Sequence, residues 1–368
     1  MTFSREDRSR LTGWWFTVDH VLLIAILTLI AVGLVFSLAA SPAVALKKGL
    51  PAYYFVERHL VFSALGAAIL VALSFLTPRE TRRVALVVLL LALAGLVAVH
   101  LTGREINGAR RWLSLAGHSI QPSEFLKPAF VVVSAWLFAE ARRRPDMPAL
   151  PAAIVLFAIV AGFLVVQPDV GQTLLLSLVW GAMFFVSGQP LILAGGAVAF
   201  AGVALVAAYV NFPHVQYRID RFLDPVPGDN SQVDRALQSF AQGGFLGRGP
   251  GEGTIKTSLP DAHTDFIFAV IAEEYGAVAC LALVMLFGFI VVRSLYRAGQ
   301  ERDLSIKLGI IGLALVFGLQ ALINMGVNVG LLPAKGITLP YLSAGGSSTL
   351  AISATLGMLL ALTRRRVG

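Results

Sequence analysis

Ten apolar runs separated by short polar stretches set the rhythm of this chain: Val21 to Ala40, His59 to Leu76, Val84 to Leu101, Phe125 to Ala139, Ala152 to Val166, Val170 to Val186, Leu191 to Val210, Phe266 to Val292, Leu308 to Leu332 and Leu342 to Leu362. Runs of such length, wound as helix, cross roughly 30 Å of hydrocarbon, where only helices and closed barrels satisfy their own backbone. The pattern predicts an all-α polytopic membrane protein with ten transmembrane helices. An even number returns both termini to one side. Arg5, Arg8 and Arg10, then Arg79, Arg82 and Arg83, then Arg142, Arg143 and Arg144, then Arg293, Arg297, Arg302 and Lys307, and finally Arg364, Arg365 and Arg366 all flank the runs on that side. The positive-inside rule makes it the cytoplasm.

The connections on the opposite face are 41–57, 102–122, 167–169, 211–264 and 333–341. The chain reads as one membrane domain over 1–368, with 1–18 as a cytoplasmic tail and 211–264 as a large extracytoplasmic loop between helices 7 and 8. Connections of that length are uncommon without a function. Within it, Val233, Leu237 and Phe240 recur at helical spacing in SQVDRALQSFAQ and predict a short amphipathic helix at the membrane interface. The GGFLGRGPGEG that follows reads either as backbone able to approach a bulky ligand and aim N–H groups at phosphates, or as a flexible tether. It lacks a preceding strand and a GxxxxGK, so neither a dinucleotide turn nor a P-loop is supported.

Composition agrees with the pattern. Hydrophobic residues make up 57% of the chain, charged residues 14%, and the mean hydropathy is +0.78, too apolar for a water-compatible surface. The lone Cys280 lies inside an apolar run, so no intrachain disulfide and no cysteine metal cluster can form. The polar, basic N-terminus leads into a run of spanning length, which reads as a retained anchor rather than a cleaved signal.

Charge changes the picture. Outer loops should be poor in cations, yet Arg104, Arg110, Arg111, Arg218, Arg221, Arg235, Arg248, Lys256 and Lys335 all fall there. Individually they could meet lipid head groups or pair with Asp220, Asp224, Asp234 and Glu252; together they suggest a phosphate or pyrophosphate site. Polar groups also sit where lipid should be. Glu124 and Lys127, three apart, read either as an intramembrane functional pair or as a structural one. Asp169 with Gln172 three residues later matches a helix cap. Asn324 and Asn328 share one helix face and should hydrogen-bond to neighbouring helices. The six histidines show no metal-ligand spacing, so no metal-binding residues are predicted.

In LPDAHTDFIFAVIAEEYG, residues 259–276, Asp261, His263, Asp265, Glu273 and Glu274 gather at the start of the eighth run. By itself Asp265 reads equally as a catalytic acid or as a residue favoured by a helix N-terminus, with Thr264 as the cap. Glu273 lies eight residues on, about 12 Å along a helix. That depth suits contacts between Glu273, Glu274 and neighbouring helices, or a proton relay, better than contact with a substrate at the surface.

The runs NGARRWLSLAGHSIQPSEFLK, QPDVGQTLL, RIDRFLDP, LPDAHTDFIFAVIAEEYG and LLPAKGITLPYLSAGGSS, in this order and beside the expected spans, resemble the SEDS family (shape, elongation, division and sporulation). Lys335 and the form of the large loop resemble its division branch more than its elongation branch. Asp261 stands where the family commonly has Glu, Tyr275 where Leu is usual, and Ala344 where an aromatic residue is common. The resemblance implies a peptidoglycan glycosyltransferase that polymerises lipid II and releases undecaprenyl pyrophosphate on the outer face of the bacterial inner membrane, at the division septum. It implies a class B penicillin-binding protein and other divisome proteins as partners, and no nucleic acid.

A glycosidase needs two carboxyl groups because its leaving alkoxide must be protonated. Pyrophosphate leaves unaided, so one general base with cations suffices. The resemblance puts Asp265 in that role. It puts His263 and the cations Arg110, Arg111, Lys127, Arg218, Arg221, Arg248 and Lys335 at the substrate. Trp112 could stack on a sugar or anchor in the aromatic belt. No cofactor is required; a divalent cation, Mg or Mn, could bridge pyrophosphate and carboxylate. A lipid II flippase, an elongation polymerase and a non-enzymatic scaffold are the competing readings. A transporter should carry an internal repeat with broken helices and a midplane site, which the sequence lacks.

Overall fold

The computed structural model describes residues 10–106, 109–115, 118–190, 196, 202–203, 206–207, 209–211, 216, 220, 232–259, 261–333 and 336–365. Eleven α-helices are traced among them. Helices α1 (Arg10–Thr17), α2 (His20–Lys47), α3 (Tyr54–Ser74) and α4 (Pro78–Thr102) come first, then α5 (Pro122–Arg143), α6 (Ala149–Val166) and α7 (Val170–Val186). The short α8 (Gln232–Gly243) precedes α9 (Ile267–Gln300), α10 (Leu304–Asn328) and α11 (Gly346–Thr363). Seven of these, α2, α3, α4, α6, α9, α10 and α11, are long and apolar enough to cross a membrane. Helix α7 is apolar but shorter, and α5 carries Glu124, Lys127, Glu140, Arg142 and Arg143 within its length. The seventh predicted span, 191–210, falls largely outside the described residues.

Helix ends follow local chemistry. Thr77 and Glu80 close a reciprocal capping box on α4, with Thr77 N–H to Glu80 Oε2 at 2.7 Å and Glu80 N–H to Thr77 Oγ1 at 3.3 Å, and Pro78 takes the first turn, where no amide donor is needed. Asp303 caps α10 through the amides of Ser305 and Ile306, and Asp19 caps α2 through Leu22.

Helices α10 and α11 are the centre of the bundle, and α11 packs most extensively against α3. Close approach there depends on glycine: a methyl group on Gly66 would stand 2.4 Å from Ser353 Oγ, and one on Gly357 2.9 Å from the Leu70 carbonyl. Without a hydrophobic drive between helices in lipid, such contact is how they adhere. The outward faces of α3, α4 and α6 expose Leu60, Leu65, Leu90, Leu91 and Val155, the surface a bilayer would cover.

Arg293, Arg297 and Arg364 gather at one end. Asp19, buried, pairs with Arg293 at 3.0 Å and Arg297 at 2.6 Å, and Arg364 donates to Thr17 and to the Phe75 carbonyl. At the other end the chain departs from an all-α architecture. Within the connection 102–122, expected to be loop, β1 (Arg104–Ile106), β2 (Ala109–Leu115) and β3 (His118–Ile120) form a three-stranded antiparallel sheet. Glu105 faces Arg110 and Leu113 faces Ile120 across it. The Asn107–Gly108 pair is a two-residue hairpin signal that would have revealed it.

Candidate functional site

Asp265 precedes α9 instead of capping it. The helix starts at Ile267; its N-cap is Phe266, which supplies no side-chain hydrogen bond. The reading of Thr264 as a cap is corrected accordingly: its hydroxyl donates to the Asp261 carbonyl at 3.2 Å. A tight turn carries the aspartate, with the amides of Thr264 and Phe266 both donating to the Asp261 carbonyl at 3.0 and 3.3 Å. Asp261 itself adopts φ +55°, tolerated by aspartate better than by most residues. The following loop ties the turn down: Ser343 Oγ donates to the Thr264 carbonyl, and the Ala344 amide to that of His263 at 2.9 Å.

The carboxylate faces a cavity of about 770 Å³, within the range of specific small-molecule sites. Arg111 and Trp112 from β2, Glu124 from α5 and Asp265 all line it; the sequence named these four separately and the fold brings them together. Gly336 at φ +62° passes close by, and a methyl group there would stand 3.6 Å from Asp265 Oδ2. The cavity has a wall the sequence reading missed. Phe55, Arg58, His59 and Phe62 line it from α3 at the i, i+3, i+4, i+7 spacing of one helix face, and Lys48 adds a cation beyond the end of α2. Arg58, immediately ahead of the second apolar run, was the available signal, since charges beside a spanning segment are rarely idle.

Behind the cavity a buried polar network fixes the arginine and the glutamate. Arg111 donates to the carbonyls of Gln167 (3.3 Å) and Pro168 and stands 3.8 Å from Asp169. Asp169 caps α7 through the Gln172 amide at 3.3 Å. Burial pushes its carboxyl above the usual range, while Arg111 and the Gln172 amide pull it back. Gln172 Nε2 donates to Glu124 Oε1 at 2.6 Å, and Lys127 Nζ to Glu124 Oε2 at 2.9 Å and Gln320 Oε1 at 2.7 Å. Lys127 is 1% exposed, so it serves this network and not a phosphate in the cavity.

The second acidic group has another role. The Glu273 carboxylate receives the amides of Thr254 (2.6 Å), Ile255 (2.8 Å) and Lys256 (3.2 Å), and Glu274 receives the Gly251 amide (2.9 Å) and the Lys256 ammonium. The expectation that they contact neighbouring helices or relay protons is therefore corrected; they bind the glycine-rich loop. Helix α9 breaks at Gly276, φ +76°, and the same loop fills the break: Arg248 and Gly249 amides donate to the carbonyls of Glu273 and Glu274, and the Ala277 amide to that of Gly244. Three amides of GGFLGRGPGEG, at 248, 249 and 251, and three that follow it, at 254, 255 and 256, are thus committed to α9 and are not aimed at a phosphate.

Other expected ligands stand apart. Arg110 is exposed on β2 and is not among the cavity-lining residues. Arg248 bonds Thr254 Oγ1 at 3.3 Å, away from the cavity. His263 is 5% exposed and packs on Phe55 behind the lining, ring centres 4.5 Å apart. Burial, with Lys48 adding and Asp261 opposing, brings its imidazole down to about 4, so it is neutral at neutral pH. Arg218, Arg221 and Lys335 lie outside the described residues. Among the described residues no three His, Cys, Asp or Glu side chains gather as a metal site.

A bundle of apolar helices with a carboxylate-bearing, cation-lined cavity at the end opposite Arg293, Arg297 and Arg364 defines a polytopic membrane protein with a polar site. Residues 19–367 match the model of the family described as "Cell cycle protein", which groups FtsW, RodA and SpoVE, and the chain belongs to that family. It is 43% identical over 369 residues, all of this chain and 94% of the relative, to the "Probable peptidoglycan glycosyltransferase FtsW" of Caulobacter vibrioides. It superposes with a TM-score of 0.79, at 30% identity over 94% of this chain and 97% of the other, on a structure described as "Structural coordination of polymerization and crosslinking by a peptidoglycan synthase complex". The Thermus thermophilus rod shape determining protein RodA gives 0.66 at 28% identity, covering 95% and 97%.

Proposed function

We infer that this protein is a peptidoglycan glycosyltransferase that polymerises lipid II in septal wall synthesis, with Asp265 as its general base. The observation that carries the base assignment is the shared cavity: Asp265 lies in one chamber with Lys48, Arg58 and Arg111. The basic end of the bundle faces the cytoplasm in a ten-helix topology, and the cavity opens to the outer leaflet. A sugar hydroxyl of one lipid II attacks the anomeric carbon of another from the face opposite the pyrophosphate. Asp265 takes the hydroxyl proton as the new C–O bond forms, the old C–O bond breaks, and the electron pair leaves on the pyrophosphate. Lys48, Arg58 and Arg111 receive that charge. Trp112 offers an apolar face to a sugar ring. The superposition on a polymerisation and crosslinking complex favours a class B penicillin-binding protein as working partner.

The test is polymerisation of labelled lipid II by the purified protein with its cognate transpeptidase. Wild type should give glycan strands and folded Asp265→Asn none. Equal polymer from both would remove Asp265 from the chemistry. Transfer of lipid II across liposomes with no polymer would replace the polymerase by a transporter.

A further inference from the structure

The backbone of Asp265 is gripped from the neighbouring helix. Asn324 Nδ2 and Asn328 Nδ2 both donate to the Asp265 carbonyl at 2.9 Å, filling both of its lone pairs. Asn324 Nδ2 also reaches the Ile337 carbonyl at 2.7 Å, next to Gly336 on the far side of the carboxylate. Asn328 Oδ1 accepts the Ala269 amide at 3.1 Å, a first-turn donor of α9 that also reaches the Phe266 carbonyl at 3.1 Å. Helix α9 lacks a side-chain cap from its own N-cap residue, so Asn328 caps it from α10. Gln320, one turn before Asn324, extends the row: it donates to the Thr338 carbonyl at 3.1 Å and accepts from Lys127. Gln320, Asn324 and Asn328 therefore form a ladder of amides at i, i+4, i+8 on one face of α10, each 2% exposed or less. The ladder joins the start of α9 to the 336–338 segment, the two elements that flank the Asp265 side chain.

We propose that Asn324 and Asn328 are positioning residues that fix the Asp265 carboxylate against the reacting hydroxyl, acting through the Asp265 backbone and the capped first turn of α9. The proposal rests on Asp265 being the base. Fixing the main chain on both sides leaves the carboxylate only its own side-chain rotations, so that little reorganisation remains at the moment of proton transfer. Displacement of a catalytic group by about 1 Å can cost on the order of 100-fold in rate.

The experiment compares Asn324→Ala and Asn328→Ala with wild type and with Ser294→Ala, which removes a buried hydroxyl bonded only to the Ile290 carbonyl at the basic end of α9. Lipid II polymerisation is measured as kcat and KM separately, with thermal unfolding alongside, on the full chain with its transpeptidase. Each asparagine variant should lose about 10- to 100-fold in kcat with KM within about threefold, because the substrate-facing cations are untouched. Ser294→Ala should keep its kcat. Unchanged kcat in both asparagine variants, or kcat loss that only tracks lowered stability as in a general packing defect, overturns the proposal. If Asn328→Ala fails to fold, Asn324→Ala decides, since Asn324 does not cap α9; loss of the fold there too makes the ladder structural and overturns the proposal. Should Asp265→Asn prove fully active, the base reading falls and takes this one with it. With Asp265→Asn inactive and the asparagine variants normal, only the positioning role is lost.

Discussion

Arg111 Nη1 stands 3.8 Å from Asp169 Oδ1, so a cavity arginine is held from behind by a carboxylate that is itself buried and serves as a helix cap. The pair explains how a long side chain from a small sheet can present a fixed charge to a ligand. Arg111 keeps its carbonyl partners as well, so the carboxylate orients the guanidinium without consuming all five of its donors.

Replacing Asp169 should therefore weaken substrate binding more than chemistry. For Asp169→Asn, the carbonyl contacts of Arg111 remain but the charge behind it is gone, and KM for lipid II should rise about three- to tenfold with kcat within about twofold, an effect of roughly 1 kcal/mol. Arg111→Ala should lose more, in both parameters, because the cation meant for the departing pyrophosphate is removed. Steady-state kinetics on both variants checks the order.

Glu273 should be a stability residue. Three backbone amides converge on a side chain that is fully buried. Glu273→Ala would leave them unsatisfied at about 1–3 kcal/mol each, enough to release the 244–256 loop from α9. The expected outcome is a large drop in Tm and new proteolytic cleavage within that loop. Glu273→Gln, which keeps an acceptor oxygen, should lose about half as much.

Gly276 and Gly288 lie on the same helix and should respond oppositely. At Gly276 the backbone has φ +76°, and a methyl group would stand 2.3 Å from the Phe245 carbonyl oxygen. Gly276→Ala should expel the inserted loop and yield little folded protein. Gly288 has nothing within 4 Å of the added carbon, so Gly288→Ala should be neutral or stabilising by about 0.5–1 kcal/mol. Yield and Tm of the two variants in one detergent check the contrast.

His263 should make the protein acid-sensitive. Its folded-state value of about 4 lies below the ordinary 6.5, so between these the unfolded chain binds the extra proton. Stability then falls as pH drops through 6.5 and levels off below about 4, with a loss on the order of 2 kcal/mol by pH 5. His263→Gln should flatten that part of the Tm profile between pH 7 and pH 5. An unchanged slope would assign the acid sensitivity to other groups.

Much of this molecule is decided along the chain. Apolar runs of spanning length, interrupted by Arg and Lys on alternate connections, dictate a helical bundle whose termini share one side, because hydrocarbon leaves the backbone no other way to bond. Asp265, Arg111 and Trp112, which line one cavity, stand out along the chain as candidates, since charge and aromatic surface beside a spanning run need a reason. What the chain could not announce is which polar groups spend themselves on the fold. Glu273, Glu274 and Lys127 look as functional in sequence as Asp265 does, but apart from the local Glu124–Lys127 pair their partners come from 17 to 193 residues away in the chain, and only packing shows that loop amides and Gln320 have already claimed them. Arg58 and Lys48 went the other way, becoming site residues because α3 and the end of α2 happen to close the cavity. The Glu273 carboxylate, buried against three loop amides, and Asp265, at the wall of a chamber, carry the same chemical group; the difference is a matter of neighbours, and neighbours are set by the tertiary structure.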